Sequence, residues 1–380
     1  MPDNLPDNLV KTQLSMRQFI ESVLAPLDVE LKSGATAPAQ LQEQVRKASR
    51  AAGFFYRTQP VEFGGNPAKT LELTLLREML AAANTPLSRQ VLGPGPGLLH
   101  AAEGELRRRY LEPLMRGEKQ SAFGFTEPDN ASRPTWAVLE GDSLIVTGQK
   151  SYVTGGESCD FVCILVNVEQ LDGSRAGTAM VVIDRDAEGV IIDKSFTSME
   201  GGGHVSMLFR QVRVPVTQII GKIGEGMPRA LGNIGNVRLM IAAQAMGMCL
   251  WTLDYVEAHL LAPHRSGSPL GDREGVRLRY ADMRIETYVA RSALYRTARL
   301  VEAGENAVNE VIATKVFCTE VAGRVIDMAV QLVGGQALVQ GHPLETLYRE
   351  VRSLRLVEGA SDLLRLNLVK GRLELKKGHV

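Results

Sequence analysis

The sequence predicts an α+β protein that is mostly helical, in three stretches. These are an N-terminal helical domain over 1–120, a middle antiparallel β domain over 121–223, and a C-terminal four-helix bundle over 224–380. Three observations predict this order. Apolar residues recur at helical spacing before position 120, as in Leu71, Leu75, Leu76, Met79 and Leu80. Short β-branched runs separated by Gly, Asp and Asn turns fill the stretch from Ser121 to about Val216. Long periodic segments then return from about Gly224, and helices of that length packed side by side suggest an antiparallel bundle.

The first nine residues repeat Pro-Asp-Asn-Leu and read as a frayed head without the basic and apolar regions of a signal peptide. Leu41, Val45 and Ala48 mark one helix, and Pro60 to Gly65 reads as a loop. Gly93-Pro94-Gly95-Pro96-Gly97 cannot be uninterrupted helix. A basic helical stretch follows from Glu105, bent or ended near Pro113, with Arg107-Arg108-Arg109 as a solvated face. Strand runs are Leu144-Ile145-Val146, Phe161 to Val166, and Met180 to Ile183, with a hairpin turn at Glu140-Gly141-Asp142. No long helices interleave them, so a small antiparallel sheet is expected rather than a doubly wound one. The expected bundle helices are 225–262, 272–303, 306–333 and 359–376.

Composition narrows the function. With 43 basic and 43 acidic side chains the formal net charge is zero, which argues against a nucleic-acid or anionic-membrane partner. No apolar run approaches the roughly 20 residues of a membrane span. Cys159, Cys163, Cys249 and Cys318 form no C-x-x-C pair, so a reducing compartment is expected, cytoplasmic in a bacterium. The histidines have no zinc-like spacing and no metal site is expected. There is no G-x-G-x-x-G after a strand and no P-loop, so a bound dinucleotide is not held by either device.

The chain is organised around Gln331 to Gly371. An apolar helix end leads into Gly334-Gly335, a turn passes through Gly341 and Pro343, and 344–356 is helical in pattern. Glu358 then stands between Leu356-Val357 and Gly359, ahead of a last amphipathic helix. Two readings are open at this point. An apolar setting raises a carboxylate's pKa and suits it to abstracting a proton. The plainer reading is a surface Glu opening the helix at Ala360 as a favourable dipole charge.

Four segments carry a resemblance. They are Phe123-Gly124-Phe125-Thr126-Glu127-Pro128 with Ser132, Gly148-Gln149-Lys150-Ser151-Tyr152-Val153-Thr154-Gly155-Gly156, the helix from Val237 and Arg238 to Gly247, and Gln331/Gly334/Gly335/Pro343/Arg349/Glu350/Glu358/Gly359. In this order they resemble the acyl-CoA dehydrogenases, from about Phe54 to Leu375. The resemblance implies FAD as cofactor and α,β-dehydrogenation of an acyl-CoA thioester, with Glu358 abstracting the α-proton and flavin N5 taking the β-hydride. Phe125, Thr126 and Ser132 would contact the flavin or the thioester end of the substrate, and Tyr152 and Thr154 would lie against the ring. Arg265, Gln331, Gly334 and Gly335 would hold the dinucleotide across a subunit interface. Ser132, Arg238 and Gly359 would serve the substrate.

The resemblance further implies a homotetramer and an electron-transferring flavoprotein as acceptor. Alternatives within the same fold are an oxygen-using acyl-CoA oxidase, a dehydrogenase of carrier-protein thioesters, and a flavin-binding subunit of a mixed assembly. A side branch of the family carries its Glu immediately before the helix Arg, and here that position is Val237. Departures from the family pattern are Asp129-Asn130-Ala131-Ser132-Arg133, Gly235, the Arg265/Leu270-Gly271 echo of R-x-x-F-G, and Val357 in place of Tyr. Gly93, Gly95 and Gly97 align with the far end of the acyl cavity, where missing side chains predict tolerance of a bulky or branched acyl group.

Overall fold

The computed structural model describes residues 5–31 and 37–376. The helices that matter below are α1 (Asp7–Phe19), α2 (Ala39–Ala52), α3 (Thr70–Ala82), α4 (Gly226–Leu261), α5 (Glu274–Glu302), α6 (Val308–Val333), α7 (Pro343–Ser353) and α8 (Ser361–Leu373). The four expected bundle helices therefore form within a few residues of their predicted ends. The head differs. Residues 1–4 lie outside the described part, but Asp7 already begins α1, which buries Leu9, Met16 and Phe19.

The chain divides into two compact units. One comprises Met1–Thr58, Asn66–Gly93 and Gly235–Val380, the other Gln59–Gly65 and Pro94–Ile234. In the first unit the N-terminal and C-terminal helices share a core. Leu71 and Leu75 of α3 cluster with Met246 of α4, Leu294 of α5 and Ile326 of α6. Polar ties accompany this packing. Arg291 of α5 donates to both carboxylate oxygens of buried Glu78 at 2.8 Å, and Tyr295 donates to the same carboxylate. At Gly247 an added Cβ would lie 2.2 Å from the Glu78 carbonyl oxygen, so only glycine lets α3 and α4 approach this closely.

By length and composition alone, an 18-residue window of α4 is apolar enough to cross a membrane. The sequence expectation concerned an unbroken apolar run, which α4 is not, since Arg229, Asn233, Arg238 and Gln244 interrupt it. Moreover, 67% of that window is buried inside the fold, and Leu239, Ala242, Met246 and Cys249 spend their apolar surface on the shared core.

In the second unit eight strands are described, β1 (Ser121–Gly124), β2 (Trp136–Glu140), β3 (Ser143–Thr154), β4 (Phe161–Glu169), β5 (Arg175–Asp184), β6 (Val190–Thr197), β7 (Gly203–Pro215) and β8 (Ile219–Ile220). Their order is β6-β7-β3-β2-β4-β5-β8, with β1 also beside β4. The expected antiparallel sheet needs one correction, because β1 and β2 both pair with β4 in parallel. They are successive pieces along that strand, Ser121 opposite Phe161 and Trp136 opposite Asn167. Residues 125–135 therefore loop out between two strand pieces that run the same way. The continuous apolar run of β4 fits burial on both faces. Phe161, Cys163 and Leu165 pack with Tyr110 and Leu114, while Val162, Ile164 and Val166 join Val146 and Val181.

The Arg107-Arg108-Arg109 run is less free than expected. Arg107 pairs with Glu62 and Glu112, and Arg109 with Asp184. All four cysteines are buried and unpaired.

Candidate active site

The first cluster lies in the helical unit, around the turn from α7 to α8. Leu356 N–H and Val357 N–H both close on the Ser353 carbonyl. Glu358 then takes φ +53° and Gly359 φ +107°. A left-handed glutamate is uncommon and costs backbone strain. At Gly359 a Cβ would stand 3.0 Å from Leu364 and 3.4 Å from the Arg238 guanidinium, so glycine is needed for conformation and for space.

Two cations hold the turn. Arg238 Nε of α4 donates to the Glu358 carbonyl at 3.0 Å. Lys315 Nζ of α6 donates to the next carbonyl, that of Gly359, at 2.9 Å. The sequence reading placed Arg238 and Gly359 at the substrate; in the structure both also build the turn that carries Glu358. The sequence reading missed Lys315. Its signal was a lone cation in the run Val311 to Cys318, where most neighbours are apolar or small.

Burial pushes the Glu358 carboxyl above the ordinary glutamate range, while Arg238 and Lys315 pull it back. The source of that burial differs from the one expected. Leu356 is 58% exposed and turns away, whereas Val357 packs against the helical core. Burial also pulls the Lys315 ammonium down to about 8, with repulsion from Arg238 adding and attraction to Glu358 and Glu320 opposing. Among the described residues the Glu358 N–H donates to no acceptor. Helix α8 begins only at Ser361, and the acid in its first turn is Asp362.

Arg265 is exposed in the segment between α4 and α5, and Gln331, Gly334 and Gly335 close α6. Gln331 is sixteen residues beyond Lys315 on that helix, roughly 24 Å along the axis. The structure thus does not gather Gln331, Gly334 and Gly335 with Glu358 inside one chain. Gly334 has φ +84°, and added Cβ atoms at Gly334 and Gly335 would meet nothing.

The second cluster lies in the β unit, where the loop 125–135 meets the end of β3. Ser151 N–H donates to the Thr126 carbonyl at 2.8 Å. Lys150, buried at its base, pairs with Glu127 at 2.6 Å and also reaches the Phe125 carbonyl. Glu127 in turn accepts from Thr135 N–H. Both halves of this pair stood in the quoted motifs, but nothing along the chain joined them. Beyond Lys150 the register of β3 against β7 slips before Val153. At that slip Tyr152 adopts φ +56° and turns its ring outward, 64% exposed. Phe196 meets that ring edge-on at 5.6 Å and stacks on His204, whose Nδ1 lies 3.1 Å from the Thr154 hydroxyl. Phe125, Thr126, Tyr152 and Thr154 are thereby brought to one region. Ser132 is exposed in the same loop, outside the hydrogen bonds that fasten it.

The comparisons with known proteins bear on both clusters. The family model for the acyl-CoA dehydrogenase N-terminal domain matches residues 7–118, and that for the C-terminal domain matches 224–373. The chain belongs to the acyl-CoA dehydrogenase family, and so to a family of oxidoreductases that use FAD. It is 28% identical over 374 residues to the short-chain specific acyl-CoA dehydrogenase of Clostridium acetobutylicum, covering 94% of this chain and 96% of that one. It is 27% identical over 374 residues to the CarC subunit of the caffeyl-CoA reductase-Etf complex of Acetobacterium woodii, covering 95% and 96%. A Mycobacterium abscessus structure provisionally assigned to the acyl-CoA dehydrogenases superposes with a TM-score of 0.86 at 26% identity, over 98% of this chain and 99% of that one.

Proposed function

We propose that the protein is an FAD-dependent enzyme of α,β-dehydrogenation on an acyl-CoA thioester, with Glu358 as the base. The observation that carries this reading is the Glu358 turn. It offers a carboxylate made more basic by burial, and beside it a main-chain N–H that has no acceptor among the described residues. Glu358 removes the α-proton, and its own N–H is suited to the thioester oxygen where negative charge develops. FAD, when bound, supplies the acceptor for the β-hydrogen and its electron pair. Tyr152, Phe125, Thr126 and Thr154 suit that group, because an outward aromatic face and nearby hydroxyls match a flat ring with polar edges. Gly334 and Gly335, open above their backbone, suit close approach by a dinucleotide. Ser132, Arg238 and Gly359 are assigned to the substrate side, and Arg265 and Gln331 to the dinucleotide.

The remaining assignments follow the same reading. The chain falls into segments 1–120, 121–223 and 224–380, works in a reducing cytoplasm, and assembles as a homotetramer. An exposed apolar row on α8, Leu363, Leu366, Val369 and Leu373, supports assembly. The acceptor is an electron-transferring flavoprotein, supported by the A. woodii relative's membership of an Etf complex. That relative's name also supports a ring-bearing acyl group. The support from glycine is narrower than the sequence suggested. At Gly93 an added Cβ would lie 2.6 Å from the Phe55 carbonyl, so that glycine is filled by its neighbour rather than left as room.

A second reading is the reverse reaction, favoured by the same reductase relative and by the raised Glu358, which holds a proton to higher pH and can deliver it to the α-carbon. The deciding experiment is anaerobic. The purified protein should show a flavin spectrum that bleaches with a saturated acyl-CoA; bleaching by a reduced acceptor and recolouring by an enoyl-CoA would favour reduction. A protein that takes up no FAD would end both readings.

A further inference from the structure

We propose that Lys315 is a positioning residue for Glu358: together with Arg238 it clamps two successive main-chain carbonyls and holds the carboxylate in its left-handed turn. This rests on the reading of Glu358 as the base, but its main test does not.

Lys315 is fully buried about two turns into α6. An ammonium removed from water normally has a carboxylate partner. Among the described residues Lys315 has none within ion-pair distance, and its one hydrogen bond goes to the Gly359 oxygen at 2.9 Å. A methionine would fill the same space on α6 without the cost of desolvating a charge, so packing does not account for the residue. What it does provide is a donor where the backbone is least favourable. Glu358 and Gly359 are consecutive at φ +53° and +107°, and their carbonyls receive Arg238 from α4 and Lys315 from α6. Two helices thus fix one turn. The loop's other end is fixed by Ser361 N–H on the Arg355 carbonyl at 2.9 Å.

The charges facing Lys315 are Arg238 from α4, Glu358 from the turn and Glu320 on its own helix. Glu320 is itself held by Arg365 of α8 at 2.8 Å, and Arg355 of the turn reaches the Glu320 carbonyl. Among the described residues Glu358 is thereby the one carboxylate facing Lys315 without an ion pair of its own, and the lysine's charge favours its ionised form. Removing that charge moves the Glu358 titration to higher pH.

The test uses the full-length, FAD-loaded protein as Lys315→Met and Lys315→Arg. Amide hydrogen exchange at Ser361 reads the clamp without turnover, and anaerobic flavin reduction against pH reads its consequence. Lys315→Met should exchange Ser361 at least about ten-fold faster, and the acid limb of the rate should shift to higher pH. Lys315→Arg keeps the charge but not the reach of the ammonium. It should return the acid limb to its wild-type position while Ser361 remains faster. Wild-type exchange at Ser361 together with an unmoved limb in Lys315→Met overturns the proposal. If that variant does not fold, Lys315→Arg decides: wild-type exchange and rate overturn it, faster exchange with an unmoved limb supports it. Glu358→Gln run alongside separates the two claims, since wild-type reduction there removes the base while the exchange data still judge the clamp.

Discussion

Arg238 Nε donates to the main-chain oxygen of Glu358 at 3.0 Å, across 120 residues of sequence. A guanidinium read along the chain as a substrate contact is thus committed, through that nitrogen, to the residue proposed as base. Burial lowers the Arg238 pKa, and attraction to Glu358 opposes this, so the two groups also share an electrostatic environment.

Arg238→Met therefore separates positioning from substrate binding. Losing a charge-assisted hydrogen bond costs about 1.5–3 kcal/mol, so kcat should fall roughly ten- to hundred-fold, and any rise in KM beside it reads the substrate contact assigned to the rest of the guanidinium. The acid limb of the rate should also move to higher pH, because a cation that favours the Glu358 carboxylate is gone. Steady-state kinetics across pH checks this. A change confined to KM would return Arg238 to the substrate.

Glu358→Gln should keep FAD and fold while anaerobic flavin reduction slows by at least roughly two orders of magnitude, the usual weight of general-base catalysis. In the wild type the rate should rise with pH through a pKa above the ordinary value of 4.5. The sign for stability follows from linkage. Because the folded-state pKa is raised, the folded protein binds more protons than the unfolded chain above about 4.5, and stability falls with rising pH through that window. Glu358→Gln should thus be more stable than wild type at neutral pH, and the gain should fade toward pH 4. Denaturant melts at both pH values check it.

Gly359→Ala should destabilise by about 1–3 kcal/mol, the usual cost of a side chain in disallowed backbone. The site combines φ +107° with a Leu364 carbon 3.0 Å from the new methyl. Flavin reduction should fall with it, as the neighbouring Glu358 is displaced. A variant with wild-type denaturation midpoint and rate would show that the turn relaxes freely.

The Lys150–Glu127 pair should respond asymmetrically. The Lys150 side chain is 2% exposed and Glu127 21%, so Glu127→Gln strands a buried cation and should cost about 3–5 kcal/mol. Lys150→Met leaves a carboxylate that can reach water and should cost less. Both should loosen FAD, since the pair ties loop 125–135 to β3. Urea midpoints and flavin content check the order.

Buried lysine gives the opposite pH slope from Glu358. With Lys315 pulled down to about 8 from its ordinary 10.5, the unfolded chain binds more protons between those values. Stability from this group should rise with pH across that window, and Lys315→Met should abolish the rise. Paired melts at pH 8 and pH 10 measure it.

The sequence by itself determined the elements and the order of the motifs. Helical periodicity predicted α4, α5, α6 and α8 within a few residues, and β-branched runs between Gly and Asp turns predicted β3, β4 and β5. These signals are local, because burial on one face of an element repeats along the chain with that element's own period. Glu358 was legible as a candidate from its apolar flanks and the glycine after it, yet its two readings could not be separated there. Tertiary structure decided the rest. It decided that Leu356 faces out and Val357 in, that β1 and β2 run parallel to β4, and that Asp7 already starts a packed helix. It decided too that Lys150 meets Glu127, and that Arg238 and Lys315 close on consecutive carbonyls. Each of these depends on which groups from distant segments exclude water together. A cation in a sequence looks the same whether it faces solvent or a buried carbonyl, and only packing removes the water that makes the difference.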